Sequence, residues 1–344
     1  MNITTFGLDI AKNVMQVHWV DGQTGEVGRR ALKRSQLAPF FARQVQCRIV
    51  LEACGSGHYW GRALSALGHE VQLIHARHVR PFVRGNKNDA ADAQAIWSAA
   101  QQPDMRWVPL KSEQQQAVLS LHRMRAQWIK VRTQTVNGLR GLLYEFGVLL
   151  PGGRQAGVKA LTASRAEIEA KVPALMHGLI DGQLQMLRQI EDRVDAIEAQ
   201  LQELERQLDS ARRVRQIPGV GLLGATALAA VLGKDAHGYR NAREFAACLG
   251  LVPCHRGTGG KVAVGRLSKR GDPYLRTLLM HGARSVIFHA KTKSAWLEKL
   301  LARRPLNVVV AALANKMART AWALVAHGRE YQAGGFARAD PPNT

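Results

Sequence analysis

Four carboxylates stand out from a basic chain: Asp9 in FGLDIAK, Glu52 in IVLEACG, and Asp89 with Asp92 in KNDAADAQAI. The 344 residues hold 48 Lys+Arg against 26 Asp+Glu, a formal net charge of +22. A chain so basic attracts polyanions, and acids clustered within it would repel one another and that ligand. The conflict disappears if the carboxylates hold divalent metal ions against a phosphate backbone. The chemistry implied is metal-assisted cutting or rejoining of nucleic acid.

Positioning four such groups needs a sheet and a helix. Ile3–Ile10 reads as a strand, Met15–Val20 alternates before the Asp21-Gly22 turn, and a third strand follows over Glu26–Ala31. A helix is expected over Ser35–Arg43, an apolar strand over Arg48–Ala53, a helix over Trp60–Leu67 and a strand over Val71–Ile74. A turn at Asn86–Asn88 then opens a helix reaching about Ala100. Three meander strands followed by alternating helices and strands is the order of the ribonuclease H-like fold. In that layout Asp9 sits mid-strand at the sheet centre and Glu52 ends a neighbouring strand. Asp89 and Asp92, three apart, share a helix face. Any one of these acids could be a loop cap; the quartet in this order is the signal.

Beyond Lys111 the character changes. Gln114–Tyr144 is a long helical stretch carrying Arg123, Arg125, Lys130, Arg132 and Arg140, either a solvated face or a rail for backbone phosphates. A break follows at Phe146–Gly153. Leu187, Ile190, Val194, Ile197, Leu201, Leu204 and Leu208 then form a heptad seam. Its partner is the Gln114–Tyr144 helix or a second subunit. Ile217–Gly221 (IPGVG) with the helix Gly224–Leu232 resembles half of a helix-hairpin-helix motif, in which glycine amides meet a phosphate. A plain tight turn is the competing reading.

Residues 256–319 hold fourteen Lys/Arg against Asp272 and Glu298. That bias reads as a nucleic-acid face presenting Arg256, Lys261, Arg266, Lys269, Arg270, Arg276 and Arg284. Thr258 and Ser268 are hydroxyls among these cations, and either could attack phosphate. The four cysteines form no CxxC pair, and a zinc role for Cys248, Cys254 and His255 is disfavoured. No apolar run reaches the roughly 18 residues of a membrane span, no signal peptide is read, and a reducing cytoplasm is expected. Neither a lipidation signal nor a GxxxxGK[ST] phosphate loop is found.

Over nearly its whole length the chain resembles transposases of the insertion sequence 110 family, most closely the 1111 subgroup. The resemblance rests on Phe6–Lys12, Leu51–Trp60, Lys87–Ile96, Ile217–Gly221, Phe245–Pro253 and Gly265–Arg284. It implies an α/β plus α architecture: a RuvC-like DEDD domain at 1–108, a helical coiled-coil segment at 109–212 and a mainly helical transposase domain at 213–335. A disordered tail would occupy 336–344. Asp9, Glu52, Asp89 and Asp92 would bind Mg²⁺ as a two-ion site. Relatives place a nucleophilic serine in the loop before GGK, where this chain reads Arg256-Gly257-Thr258-Gly259-Gly260-Lys261. Three readings stay open: a Thr258 nucleophile, a Ser268 nucleophile, or a weakened enzyme. The resemblance further implies a structured guide (bridge) RNA pairing with donor and target DNA, and dimers assembling to a tetramer. A RuvC-like junction nuclease, a site-specific invertase and a non-catalytic nucleic-acid-binding derivative are the alternatives.

Overall fold

The computed structural model describes residues 3–83, 89–153, 163, 165–258 and 261–332; the side chains at 89, 90, 256, 258, 261 and 262 lie outside that description. The expected 86–88 turn and 336–344 tail also lie outside the described residues. Two compact units divide the chain. The first joins Met1–Gln115 with Asp235–Glu244, the second Gln116–Lys234 with Phe245–Thr344. Compactness therefore groups the helical and C-terminal segments, which the boundaries expected from segment character set apart.

The first unit is built on a six-stranded mixed sheet of order β3-β2-β1-β4-β5-β6. Its strands are β1 Thr5–Ile10, β2 Val14–Val20, β3 Val27–Lys33, β4 Arg48–Glu52, β5 Glu70–Ile74 and β6 Trp107–Val108. β1, β2 and β3 form an antiparallel meander, while β4 and β5 run parallel to β1. The short β6 closes the far edge antiparallel to β5. Helices α1 Leu37–Phe41, α2 Gly57–Ser65, α3 Ala76–Val79 and α4 Asp89–Ala100 cover the two faces.

Side-chain alternation assigns those faces. Phe6, Leu8, Met15, Val17, Ile49 and Leu51 enter one core with Leu37, Phe41, Trp60 and Leu64 of α1 and α2. Val50 points the other way, packing with Ile74, Val79, Ala95, Ile96 and Ala99 beneath α4. The uninterrupted Ile49-Val50-Leu51 run thus marks a strand buried on both faces. Gly7 lies on the α4 face. A Cβ there would meet the carbonyl of Ala93, the Trp97 amide at 2.7 Å and the Trp97 Cβ at 2.8 Å. Only a glycine lets the helix backbone approach β1 so closely.

The second unit is mainly helical. Its long helices are α5 Glu113–Tyr144, counted from its start in the first unit, and α7 Ala174–Gln207, with α6 Arg165–Lys171 before the latter. α8 Asp209–Arg215, α9 Leu222–Leu232 and α10 Ala242–Cys248 follow. The hairpin β7 Pro253–Thr258 and β8 Lys261–Leu267 precedes α11 Pro273–His289, α12 Ala295–Leu301 and α13 Leu306–Ala326. The seam on α7 packs against α5 of the same chain: Val136, Leu139 and Leu143 meet Ile180, Leu184 and Leu187. Val118 meets Leu201 in a second cluster that also takes in Ile197 and Leu204. Rising numbers on one helix against falling numbers on the other make the pair antiparallel.

Two expectations need correction. The loop expected before GGK is part of a hairpin, in which β7 pairs with β8. Also, α13 is long and apolar enough by length and composition to cross a membrane, with mean hydropathy 1.3. Lys316 and Arg319 interrupt its apolar run, and half of its most apolar window is buried against the rest of the chain.

Candidate active site and nucleic-acid interface

The register of the first sheet organises the carboxylates. Gly7 pairs with Val50 and Leu8 with Leu51 across parallel strands. Asp9 and Glu52 each lie two residues beyond the Gly7–Val50 pair, so they share its face at the same end of neighbouring strands. That is the face α4 covers. Trp97 and Gln101 line a polar cavity of about 520 Å³ with Ile3, Thr4 and Thr5, whereas Ala93 stands over Gly7. α4 therefore runs antiparallel to β1, and its first turn, with Asp89 and Asp92, lies toward the Asp9 end. Among the described residues, no three His, Cys, Asp or Glu side chains gather as a metal-holding group. The Asp89 side chain falls outside them. Asp9, Glu52 and Asp92 are thus not closed into a donor set, though carboxylates at one sheet end are the ligand type of a hard divalent cation and not of zinc.

Register also reveals a residue that the sequence reading missed. Asp9 pairs with Gln16, and Gln16 with Ala31. Two residues further along, Val14 pairs with Lys33 on the same face. Both are exposed, so this corner of the carboxylate face is open to solvent. Lys33 offers a cation there for a phosphate backbone. Its signal was invisible without knowing which strand lies beside which.

In the second unit, Thr258 ends β7 and pairs with Lys261 across the hairpin tip. The side chains of Arg256, Thr258 and Lys261 lie outside the described residues. Ser268 follows β8; its amide donates to Val252 O at 2.8 Å. Its hydroxyl is buried and has no hydrogen-bond partner among the described residues. The next residues are locked by glycines. Gly271 (φ +130) has no room for a Cβ against the Cys248 carbonyl, and Gly250 (φ +69) none against the Arg270 amide at 2.8 Å. Lys269 is held at φ 53, a left-handed conformation uncommon for a non-glycine residue. Asp272 then caps α11, accepting from the Tyr274 and Leu275 amides at 2.8 and 3.2 Å.

The expected phosphate contacts divide by environment. Arg266, Lys269, Arg270 and Arg284 are exposed, and Arg284 donates to Asn307 Oδ1 at 3.2 Å. Arg276 is half-buried and donates to Leu249 O at 3.1 Å. The proposed rail on α5 is not continuous. Arg123 and Lys130 are exposed, but Arg125 bonds Glu198 at 2.6 Å, Arg132 is buried, and Arg140 donates to Pro151 O and Gly153 O. These three arginines hold the second unit together.

The IPGVG turn faces helix α11. Gly219 (φ +85) and Gly282 meet backbone to backbone, each lacking space for a Cβ against the other's carbonyl. They line a cavity of about 440 Å³ with Arg125, Glu198 and His281. Nearby lies a buried polar chain. His122 Nδ1 is 2.9 Å from the Tyr274 hydroxyl and its Nε2 is 3.0 Å from Thr226 Oγ1. Since Thr226 donates to Leu222 O at 2.8 Å, it accepts from Nε2–H, leaving Nδ1 to accept from tyrosine. Burial, and secondarily Arg125, lowers the His122 pKa to about 4. Burial likewise raises that of Tyr274. Cys248 is exposed and Cys254 half-buried.

Comparison with known proteins accords with this arrangement. The profile described as Transposase IS116/IS110/IS902 family matches residues 211–298. A DEDD-type IS110 transposase profile matches residues 6–147. A probable family 20 transposase of Pseudomonas aeruginosa is 46% identical, covering 97% of this chain and 100% of its own. The transposase for insertion sequence element IS1111A of Coxiella burnetii is 36% identical over 97% of this chain and 92% of its own. That for IS1328 of Yersinia enterocolitica is 36% identical over 95% and 98%. An enzyme of this type acts on DNA and uses a divalent metal. With identity of this extent along both units, the chain belongs to the IS110 family of transposases.

Proposed function

We propose that this transposase recombines donor and target DNA with a carboxylate metal site and a hydroxyl nucleophile, one subunit's metal site serving another subunit's hydroxyl. The observation that carries the reading is the register placing Asp9 and Glu52 side by side, with the first turn of α4 directed to the same end. Asp9, Glu52, Asp89 and Asp92 would hold Mg²⁺, as two ions, which supply charge stabilisation for the attacking and leaving oxygens. Lys33 and the exposed Arg266, Lys269, Arg270 and Arg284 would bind and orient the phosphate backbone.

Thr258 is the preferred nucleophile. Its hydroxyl oxygen bonds to phosphorus as the bond to one DNA oxygen breaks, and the threonine proton leaves with that oxygen. A hydroxyl of the partner duplex then attacks the same phosphorus and releases threonine with its proton restored. Each step exchanges one P–O bond for another, so no nucleotide hydrolysis is required. Ser268 is the weaker candidate because its hydroxyl is buried. A structured guide RNA would choose the sequences by base pairing, and copies of the chain would assemble as dimers and then a tetramer. The reaction belongs to the bacterial cytoplasm, at the nucleoid.

Covalent trapping tests this on a labelled donor–target substrate with Mg²⁺ and RNA from the element's flank. Wild type is compared with Thr258→Ala, Ser268→Ala and Asp9→Asn, and adducts are mapped by mass spectrometry. The expected adduct sits on Thr258 and disappears in Thr258→Ala and Asp9→Asn. Cleavage without any adduct would replace the reading with a metal-dependent junction nuclease. RNA binding with neither would leave a non-catalytic derivative.

A further inference from the structure

We infer that the first unit carries a second nucleic-acid site, an arginine–aromatic ledge that stacks unpaired bases on the sheet face opposite the carboxylates. Alternation along the edge strand β3 sets its position. Arg30 pairs with Val17 and shares the face of Leu32, whose side chain enters the core beneath α1 and α2. Asp9 belongs to the other face, under α4. The ledge is therefore on the far side of the sheet from the carboxylates.

Two guanidinium–ring units build it. Arg30 lies 5.5 Å from the Phe40 ring centroid. Arg34 lies 5.1 Å from that of Trp60 and 5.8 Å from that of Tyr59. Trp19 and Phe40 are 6.2 Å apart, and Tyr59 and Trp60 meet edge to face at 5.1 Å. Tyr59 is 52% exposed, unusual for a ring in contact with a core. Trp60 itself is buried in the core, so Tyr59 is the ring that the ledge presents.

Charge and shape together select the occupant. Arg30 and Arg34 supply the charge of the ledge, residues 27–46 hold no acidic residue, and Arg29 and Lys33 lie on the opposite, α4 face. Such a segment attracts phosphates. A duplex hides the faces of its bases and would use the cations alone. An exposed ring and guanidinium planes gain area only against bases that are open, as in a single strand or an RNA loop. The site therefore suits an unpaired strand, a guide or a displaced one. The inference rests on this chain handling nucleic acid, and stands whether or not Thr258 and the carboxylates perform the proposed chemistry.

The test is binding, not strand transfer. Full-length protein is titrated with single-stranded RNA, single-stranded DNA and duplex DNA of about 16 units, in about 0.3 M salt to suppress general charge attraction. Tyr59→Ser is expected to weaken single-strand binding about tenfold and to leave the duplex unchanged. Tyr59→Phe, which keeps the ring, should stay within about twofold of wild type, and Arg34→Gln should weaken single strands. Loss for RNA alone would mark a guide and loss for DNA alone a displaced strand; either supports the site. Equal loss for the duplex, or no loss in Tyr59→Ser, would overturn it. Photocrosslinking of a 4-thiouridine strand to wild-type protein gives an answer independent of any variant's folding. Adducts at Tyr59, Trp19 or Phe40 are expected, and adducts confined to other regions would also overturn the proposal.

Discussion

The carboxylate end of the first unit and the basic turn of the second solve the same problem with different materials. Both must fix polar groups to a fraction of a side chain's length, and both do so by removing a Cβ. In the first, Gly7 lets a helix lie directly on the central strand, so sheet register and helix position are one constraint. In the second, Gly250 and Gly271 press one loop against another, leaving Lys269 in a left-handed conformation. A sheet spreads its constraint over many residues, whereas the loop concentrates it in two. Chemistry that tolerates little displacement belongs on the former.

Gly7→Ala should break this comparison most visibly. The methyl has no space beside Ala93 and Trp97, so α4 must shift away from β1. Because a misplacement of about 1 Å can cost about a hundredfold in rate, DNA cleavage should fall by about that factor. Unchanged cleavage in a folded variant would show that α4 does not set the site. Gly271→Ala should act on folding instead, costing about 3 kcal/mol in a denaturant titration, through its positive φ and the Cys248 carbonyl. A cost near zero would mean that the loop yields easily.

The buried His122 offers a third, smaller contrast. Unfolded imidazole takes a proton near pH 6.5 and the folded one near 4. The unfolded state thus binds more protons across that window, and stability falls as pH drops through it. The loss should approach about 3 kcal/mol by pH 4, and His122→Gln should flatten the slope. Equal slopes in the two proteins would place the acid sensitivity elsewhere. Smallest of all, Ser268→Ala removes a buried hydroxyl without a described partner and should change stability by less than about 0.5 kcal/mol. Strand transfer should persist in it; its loss would make Ser268 the nucleophile.

Much of the first unit was legible because its strands are buried. Ile49-Val50-Leu51 and the alternation around Asp9 announce their elements, and the acids follow from element order. What periodicity does not carry is the neighbour. The role of Gly7 depends on α4, 86 residues from it in sequence at Ala93, and that of Lys33 on pairing through β2. The β7–β8 hairpin was missed because Ala263, Val264, Gly265 and Arg266 are all exposed, so no face is selected for apolar residues. Arg125 and Arg140 looked like phosphate contacts because their acceptors, Glu198 and the carbonyls near Pro151, come from other stretches of chain. The helical seam was readable and its partner was not, since a heptad specifies a stripe and not what fills it.

One connection has a consequence for the gene. The first unit takes back residues Asp235–Glu244, and Gly238 sits so close to Pro109 that it has no room for a Cβ. Its coding information is therefore split, with the second piece embedded among codons for the other unit. A truncation after the first third of the reading frame does not leave an intact first unit behind. A stop or frameshift between the two pieces strikes both units together, so a copy of the element decaying there loses its partial activities at one stroke.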